Sequence, residues 1–370
     1  MSGGDDPEVA PLSTRLLVPL PTQPPGVPWP TDDWPRGEEP PGVDLSGLID
    51  RLVTDEATFG TTYAVVVVQG GRLLLERYGG ALPHWDGPDE PVTPDTPLLS
   101  WSMAKSMAHV ATGILVAEGR LDPAAPAPVP AWSSPDDPHR AITLDHLLTM
   151  RDGLAWAEDY VDGRTSDVIH MLFGEGAADV AGYATARPLA HPPGTHFTYS
   201  SGTSNIVARI AGDAVGGGPD GMRGFLGERL FGPIGMRSAR PRFDDAGTWV
   251  ASSYVHATAR DMARFGLLAL RGGSWDGRSI VPARWIDHGR TPRSVDPDDG
   301  WIHGAHWWVV GDDLGSFWAN GYEGQAILCV PGLDLVVVRL GHSPATASGP
   351  LKAWRAEVVE AWRAAAVSDA

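Results

Sequence analysis

Ser102-Met103-Ala104-Lys105, inside the apolar run from Leu98 to Glu118, is the stretch on which the reading of this 370-residue chain turns. Lys105 is one of only two lysines, the other being Lys352, among 28 basic residues. Arginine stays protonated at any ordinary pH, whereas a desolvated lysine can shed its proton and act as a base. On a helix, residues i and i+3 share a face with Cβ atoms roughly 5–6 Å apart, so the amine reaches the hydroxyl. Leu98, Leu99, Trp101, Met103, Met107, Val110 and Ile114 surround the pair, and the run from Ser102 has few helix breakers before Gly119. The pattern predicts a desolvated helix that carries a nucleophilic serine, Ser102, and its base, Lys105.

Outward from this helix, Leu45 to Val53 reads as a short helix. Tyr63 to Val68 and Arg72 to Tyr78, joined by Gln69-Gly70-Gly71, read as a β-hairpin. Helical patterns hold the middle of the chain, at Leu144 to Met150, Ser204 to Ala214 and Ala259 to Leu270. Strands return at Gln325 to Val330 and Leu335 to Leu340, before a last helix from Leu351 to Ala366. The expected fold is α+β (α/β), with one antiparallel sheet built from both ends of the chain, flanking helices and an inserted helical lobe. Residues 1–44 form a Pro-rich arm, expected to be loosely ordered although the Pro-Trp pairs at Trp29 and Trp34 offer a way to pack. Residues 45–366 form the domain, with the sheet lobe at about 45–100 and 300–366 and the helical lobe at about 101–299.

A formal net charge of −18 and the lack of any basic cluster argue against a nucleic-acid partner. Cys329 is the only cysteine, so the chain has no internal disulfide and no zinc-type cysteine cluster; a small apolar role in a late strand is expected. The N-terminus lacks the basic start and apolar segment of a secretory signal, and no run approaches the roughly 18 apolar residues of a membrane span. A cytoplasmic protein without a membrane partner is expected. His303 and His306 lack a third ligand at metal-like spacing, so no metal and no cofactor are assigned. His109 is expected to pack within its own helix.

Four segments in one order carry a family resemblance. They are Ser102-Met103-Ala104-Lys105, Ile142 to Leu154, Pro193 to Ser201 and Leu230 to Met236. From about Leu45 to the C-terminus the chain resembles the class C β-lactamase and penicillin-binding-protein-like serine hydrolases. Glu158-Asp159-Tyr160-Val161-Asp162 and Gly321-Tyr322-Glu323-Gly324-Gln325 look most like the 6-aminohexanoate-dimer hydrolases, which cleave short nylon oligomers and small carboxylic esters.

The resemblance implies a β-lactamase-like fold with Tyr199 as third catalytic group, its phenol made easier to ionise by the protonated lysine. It implies an oxyanion hole from the backbone N–H groups of Ser102 and Tyr322, with Gly321 allowing close approach. Tyr160 is placed at a substrate amide, on a loop with Gly163, Gly174 and Gly176 as hinges. Ser201 stands where the family usually carries asparagine and is expected, with Tyr160 and Gly321, at the substrate, and Trp156, Trp307, Trp308 and Tyr322 are candidate walls of an acyl pocket. Ala319-Asn320-Gly321 replaces the Lys-Thr-Gly of the β-lactamases, so β-lactams are expected to be poor substrates. The resulting expectation is a serine hydrolase of small esters or amides acting through an acyl-enzyme. The alternatives are a transacylase that uses the same first half-reaction and a catalytically silent binding protein on the same scaffold.

Overall fold

Thr61–Gln69 forms β1, and Ala64 to Val68 within it are completely buried. Successive side chains of a strand point to opposite faces, so five buried residues in a row require apolar cover on both. Ala64, Val66 and Val68 join one core with Ile327, Val336, Val338 and Leu340. Val65 and Val67 join a second, with Leu328, Leu335 and Val337. These cores are seen in a computed structural model that describes residues 17–84, 87–160 and 162–368.

The other strands of the main sheet are β2 (Arg72–Tyr78), β3 (Ser294–Val295), β4 (Ile302–His303), β5 (Trp308–Val309), β6 (Phe317–Gly321), β7 (Gln325–Val330) and β8 (Leu335–His342). The order is β3-β4-β5-β6-β7-β8-β1-β2, antiparallel throughout. The two ends of the chain meet at β1 and β8, in register from Thr61 opposite His342 to Gln69 opposite Leu335. Helices α1 (Leu45–Thr54) and α5 (Ser348–Ser368) cover one face through Leu45, Ile49, Leu52, Trp354, Val358 and Trp362. The other face is covered by α2 (Met103–Ala117) and α4 (Ala259–Leu270), and α3 (Ser201–Val215) packs against α2 from outside the sheet. Gly266 lets α4 lie close on the sheet, because a Cβ there would stand 2.7 Å from Ile327 and Val336. Cys329 is buried in β7, as its sequence setting implies, and burial pushes its thiol pKa up.

Helix α3 begins three residues earlier than its apolar pattern suggests, because the Ser200 hydroxyl caps it by accepting from Thr203 N at 2.9 Å. The arm departs further from expectation. Residues 1–16 lie outside the described residues, but residues 17–44 are not loose. Proline removes backbone donors yet leaves every carbonyl, and two arginines of the domain use those acceptors. Arg264, buried on α4, donates to Pro30 O at 2.6 Å and Asp32 O at 3.0 Å. Arg271 donates to Pro21 O at 3.3 Å and also to the Gln23 side chain, at Oε1, at 2.9 Å. Trp275 donates to Thr31 Oγ1 at 2.8 Å, and its ring lies 5.0 Å from that of Trp29.

Candidate active site

The chain reaches Ser102 through a strained turn. Trp101 has φ of 45°, a left-handed conformation that bulky side chains rarely adopt. Such strain persists only where the surroundings fix it, and several contacts do. Ser100 N donates to Val255 O at 2.9 Å, and Val255 N donates to Ser100 Oγ at 3.1 Å. The Trp101 indole donates to Glu323 Oε2 at 3.2 Å, and its ring meets Tyr322 edge-on at 5.4 Å. A Cβ on Gly321 would stand 2.6 Å from Ser100 O, so glycine is what lets the end of β6 close on this turn. The start of Tyr322 is thereby brought beside the start of α2.

Lys105 lies one turn into α2 and is only 2% exposed. Its Nζ is 2.9 Å from Ser102 Oγ, 3.0 Å from Ser201 Oγ and 2.9 Å from Ser252 O. Asn205 of α3 holds the Ser252 segment, accepting from Ser252 N at 3.0 Å. These three partners suit both protonation states. An ammonium donates to all three; an amine donates to Ser201 Oγ and Ser252 O and turns its lone pair to the Ser102 hydroxyl. Desolvation lowers the Lys105 pKa to about 8, against an opposing pull from the Glu158 carboxylate.

Glu158 is the residue that reading the sequence missed. It was visible as the first residue of a motif, but nothing local marked it as a hub. Oε2 accepts from Trp156 Nε1 at 2.6 Å and from Ser201 N at 2.9 Å. Oε1 accepts from Ser201 Oγ at 2.5 Å and from the Tyr160 hydroxyl at 3.1 Å. The carboxylate thus sits at the N-terminus of α3, where backbone donors and the helix dipole favour negative charge.

Two expectations change as a result. Ser201 is completely buried, with its hydroxyl spent between Lys105 and Glu158, so it is a link in this network and not a substrate contact. Trp156 braces Glu158 and packs against Gly202, where a Cβ would stand 2.5 Å from its ring, instead of walling a pocket.

Tyr199 ends the segment before Ser200 and lines the same small cavity as Ser102 and Lys105. The expected ease of ionisation is reversed. Burial first and the Glu158 charge second push its pKa up, and Lys105 Nζ stands over the face of the ring, 5.0 Å from the centroid. The phenol therefore stays protonated and is not a phenolate.

Tyr160 stacks on Tyr322 with centroids 4.6 Å apart, forming an aromatic roof, and the neighbouring Val161 lies outside the described residues. Gly174 ends the helix Asp167–Phe173, and Gly176 is pressed against Met171 and Tyr183, so both occupy packing positions. Trp308 lies tilted against Tyr199 with centroids 5.4 Å apart and lines the small cavity beside Ser102, with Asn320, His303 and His306. Trp307, in contrast, is a core residue between Phe265 and Phe317. His109 leaves its own helix for partners, stacking on Trp285 and meeting His288 Nδ1 at 3.2 Å. A cavity of about 230 Å³ adjoins Asn320, Gly321 and Tyr322; Glu323 and Arg355 are the charged residues in its lining. Among the described residues, no group of three or more His, Cys, Asp or Glu is placed to hold a metal ion.

An antiparallel sheet closed by both chain ends, with a Ser-x-x-Lys turn on a buried helix beneath it, is the beta-lactamase-like fold. The chain belongs to the beta-lactamase family, whose profile matches residues 47–361. It is 28% identical to the 6-aminohexanoate-dimer hydrolase of Paenarthrobacter ureafaciens, over 82% of this chain and 79% of that protein. In structure it resembles a Bacillus anthracis protein provisionally assigned as a 6-aminohexanoate-dimer hydrolase, with TM-score 0.72, 21% identity and coverage of 93% and 90%. A family VIII carboxylesterase superposes with TM-score 0.66, 16% identity and coverage of 89% and 99%.

Proposed function

We propose that the protein is a serine hydrolase of small carboxylic esters or amides, working through an acyl-enzyme on Ser102. The observation that carries this reading is the Lys105 amine, buried, lowered in pKa and 2.9 Å from Ser102 Oγ, with partners that satisfy it in the neutral form. Ser102 Oγ attacks the carbonyl carbon as Lys105 takes its proton. The backbone N–H groups of Ser102 and Tyr322 receive the developing oxyanion. Tyr199, protonated and facing the same small cavity as Ser102, gives its proton to the leaving alkoxide or amine and is recharged from Lys105. Water then cleaves the ester on Ser102. The adjoining cavity takes the remainder of the substrate; its Glu323 and Arg355 leave it with no net charge to favour a carboxylate.

Intact-mass spectrometry during turnover of p-nitrophenyl butyrate tests the reading. An acyl adduct that maps to Ser102, absent in Ser102→Ala, supports it. Failure of both the ester and a fluorophosphonate to label Ser102 would favour a silent binding scaffold. Added amines separate hydrolysis from transfer: mostly acid at millimolar amine is expected, and saturable amide formation with suppressed acid release would make the protein a transacylase.

A further inference from the structure

We propose that His303 and His306 hold the water that cleaves the acyl-enzyme, an inference that rests on the reading of Ser102 above. His303 and His306 are 1% and 3% exposed. Nδ1 of His303 and Nε2 of His306 are buried with no hydrogen-bond partner among the described residues. An unpartnered buried nitrogen is costly, and native proteins satisfy such groups with protein or with ordered water. Both imidazoles line one small cavity together with Ser102, Lys105, Tyr199 and Asn320. Its volume, about 10 Å³, is on the order of what a single water occupies.

His306 is built for this task. Its Nδ1 donates to Leu148 O at 2.7 Å, which fixes the tautomer and leaves Nε2 as an acceptor. Its backbone is left-handed, with φ of 57°, and its carbonyl is held by Ser106 Oγ at 2.6 Å, one residue beyond Lys105. Burial lowers the pKa of His306 to about 4, and burial again lowers that of His303, so both stay neutral while Lys105 titrates. A neutral imidazole of such low basicity orients water well but removes its proton poorly, which leaves Lys105 as the base.

In the step, His306 Nε2 accepts one O–H of the water and Nδ1–H of His303 donates to its oxygen. The second O–H faces Lys105. The water oxygen bonds to the acyl carbon as Lys105 takes that proton. Collapse of the tetrahedral intermediate breaks the bond between the acyl carbon and Ser102 Oγ, Lys105 returns the proton to Oγ, and the carboxylic acid leaves.

The test separates acylation from deacylation. In His306→Asn the shorter amide keeps a donor for Leu148 O and tolerates the left-handed backbone, but removes the acceptor at Nε2. With p-nitrophenyl butyrate, the expected result is an unchanged burst, steady-state turnover about tenfold slower, as for loss of one hydrogen bond, and acyl-enzyme accumulating by intact mass. Hydroxylamine, which does not depend on the held water, should restore turnover as hydroxamate. His306→Gln, which regains an acceptor near Nε2, should recover part of the hydrolysis, and His303→Gln serves as the second variant should His306→Asn not fold. An intact burst with an unchanged acyl-enzyme lifetime, or equal losses in burst and steady state, would overturn the water site while leaving Ser102 as nucleophile. Absence of any acyl adduct in the native protein would instead overturn the reading of Ser102.

Discussion

Strand β1 and the turn that carries Ser102 and Lys105 are both shut away from solvent, and burial does opposite work in the two. In β1 it removes apolar side chains from water, and each of Ala64 to Val68 finds its core by the alternation of the strand alone. Around Lys105 it strips water from groups that want it, and the cost appears as shifted acidities: the lysine lowered to about 8, the Tyr199 phenol raised, His306 lowered to about 4. An apolar contact tolerates many neighbours of similar volume, whereas a desolvated amine works only with particular partners at particular distances. The sheet is therefore a scaffold that accepts approximate packing, and the polar pocket on it is the part where one atom decides the chemistry.

The largest effect expected at the polar pole is from Lys105→Arg. The charge is kept but the base is lost, and kcat/KM on a short p-nitrophenyl ester should fall by roughly 10²–10⁴. Retention of most of the activity would reduce Lys105 to an electrostatic prop and erase the contrast with β1. At the apolar pole, Leu340→Ala removes a completely buried side chain of β8 and should cost about 2–5 kcal/mol, read as a lower denaturant midpoint. The folded fraction should keep its burst kinetics; a selective loss of chemistry there would mean that the sheet tunes the site directly.

A smaller effect sharpens the electrostatics. Activity should rise with pH on a limb centred near the Lys105 pKa of about 8, as the amine form appears. Glu158 favours the ammonium, so Glu158→Gln should move that limb to lower pH, and a shift to higher pH would contradict the assignment. The sign for stability follows from the same depression. Between about pH 8 and the ordinary lysine value of 10.5 the unfolded chain binds more protons at this site, so its contribution to stability rises with pH across that window. The smallest change expected is from Thr31→Ala in the arm, which deletes the acceptor for the Trp275 indole and should cost about 1–3 kcal/mol by leaving a buried donor unpaired. No change in the thermal midpoint would return the arm to a loose attachment.

What could be read from the chain follows how local each cue is. Ser102 and Lys105 share one helical turn, so their spacing alone shows that they meet. Tyr199 came from a family motif, since nothing in its own neighbourhood points to a serine 97 positions earlier. Glu158 was in view within a quoted motif, yet its role depends on Trp156, Tyr160 and Ser201 all aiming donors at it. His303 and His306 were weighed only as metal ligands, because unpartnered nitrogens become visible only once every neighbour is in place.

By itself the sequence determined the strands at both ends of the chain, the run of helices between them and the serine–lysine pair, because all of these are periodic or adjacent along the chain. The tertiary structure alone decided that Ser201 is an internal link and not a substrate contact, that Tyr199 keeps its proton and that Arg264 and Trp275 bind the proline-rich arm. Desolvation and hydrogen-bond saturation depend on what surrounds an atom in three dimensions. Segments separated by dozens to hundreds of residues supply those surroundings, and no pattern in the chain counts them.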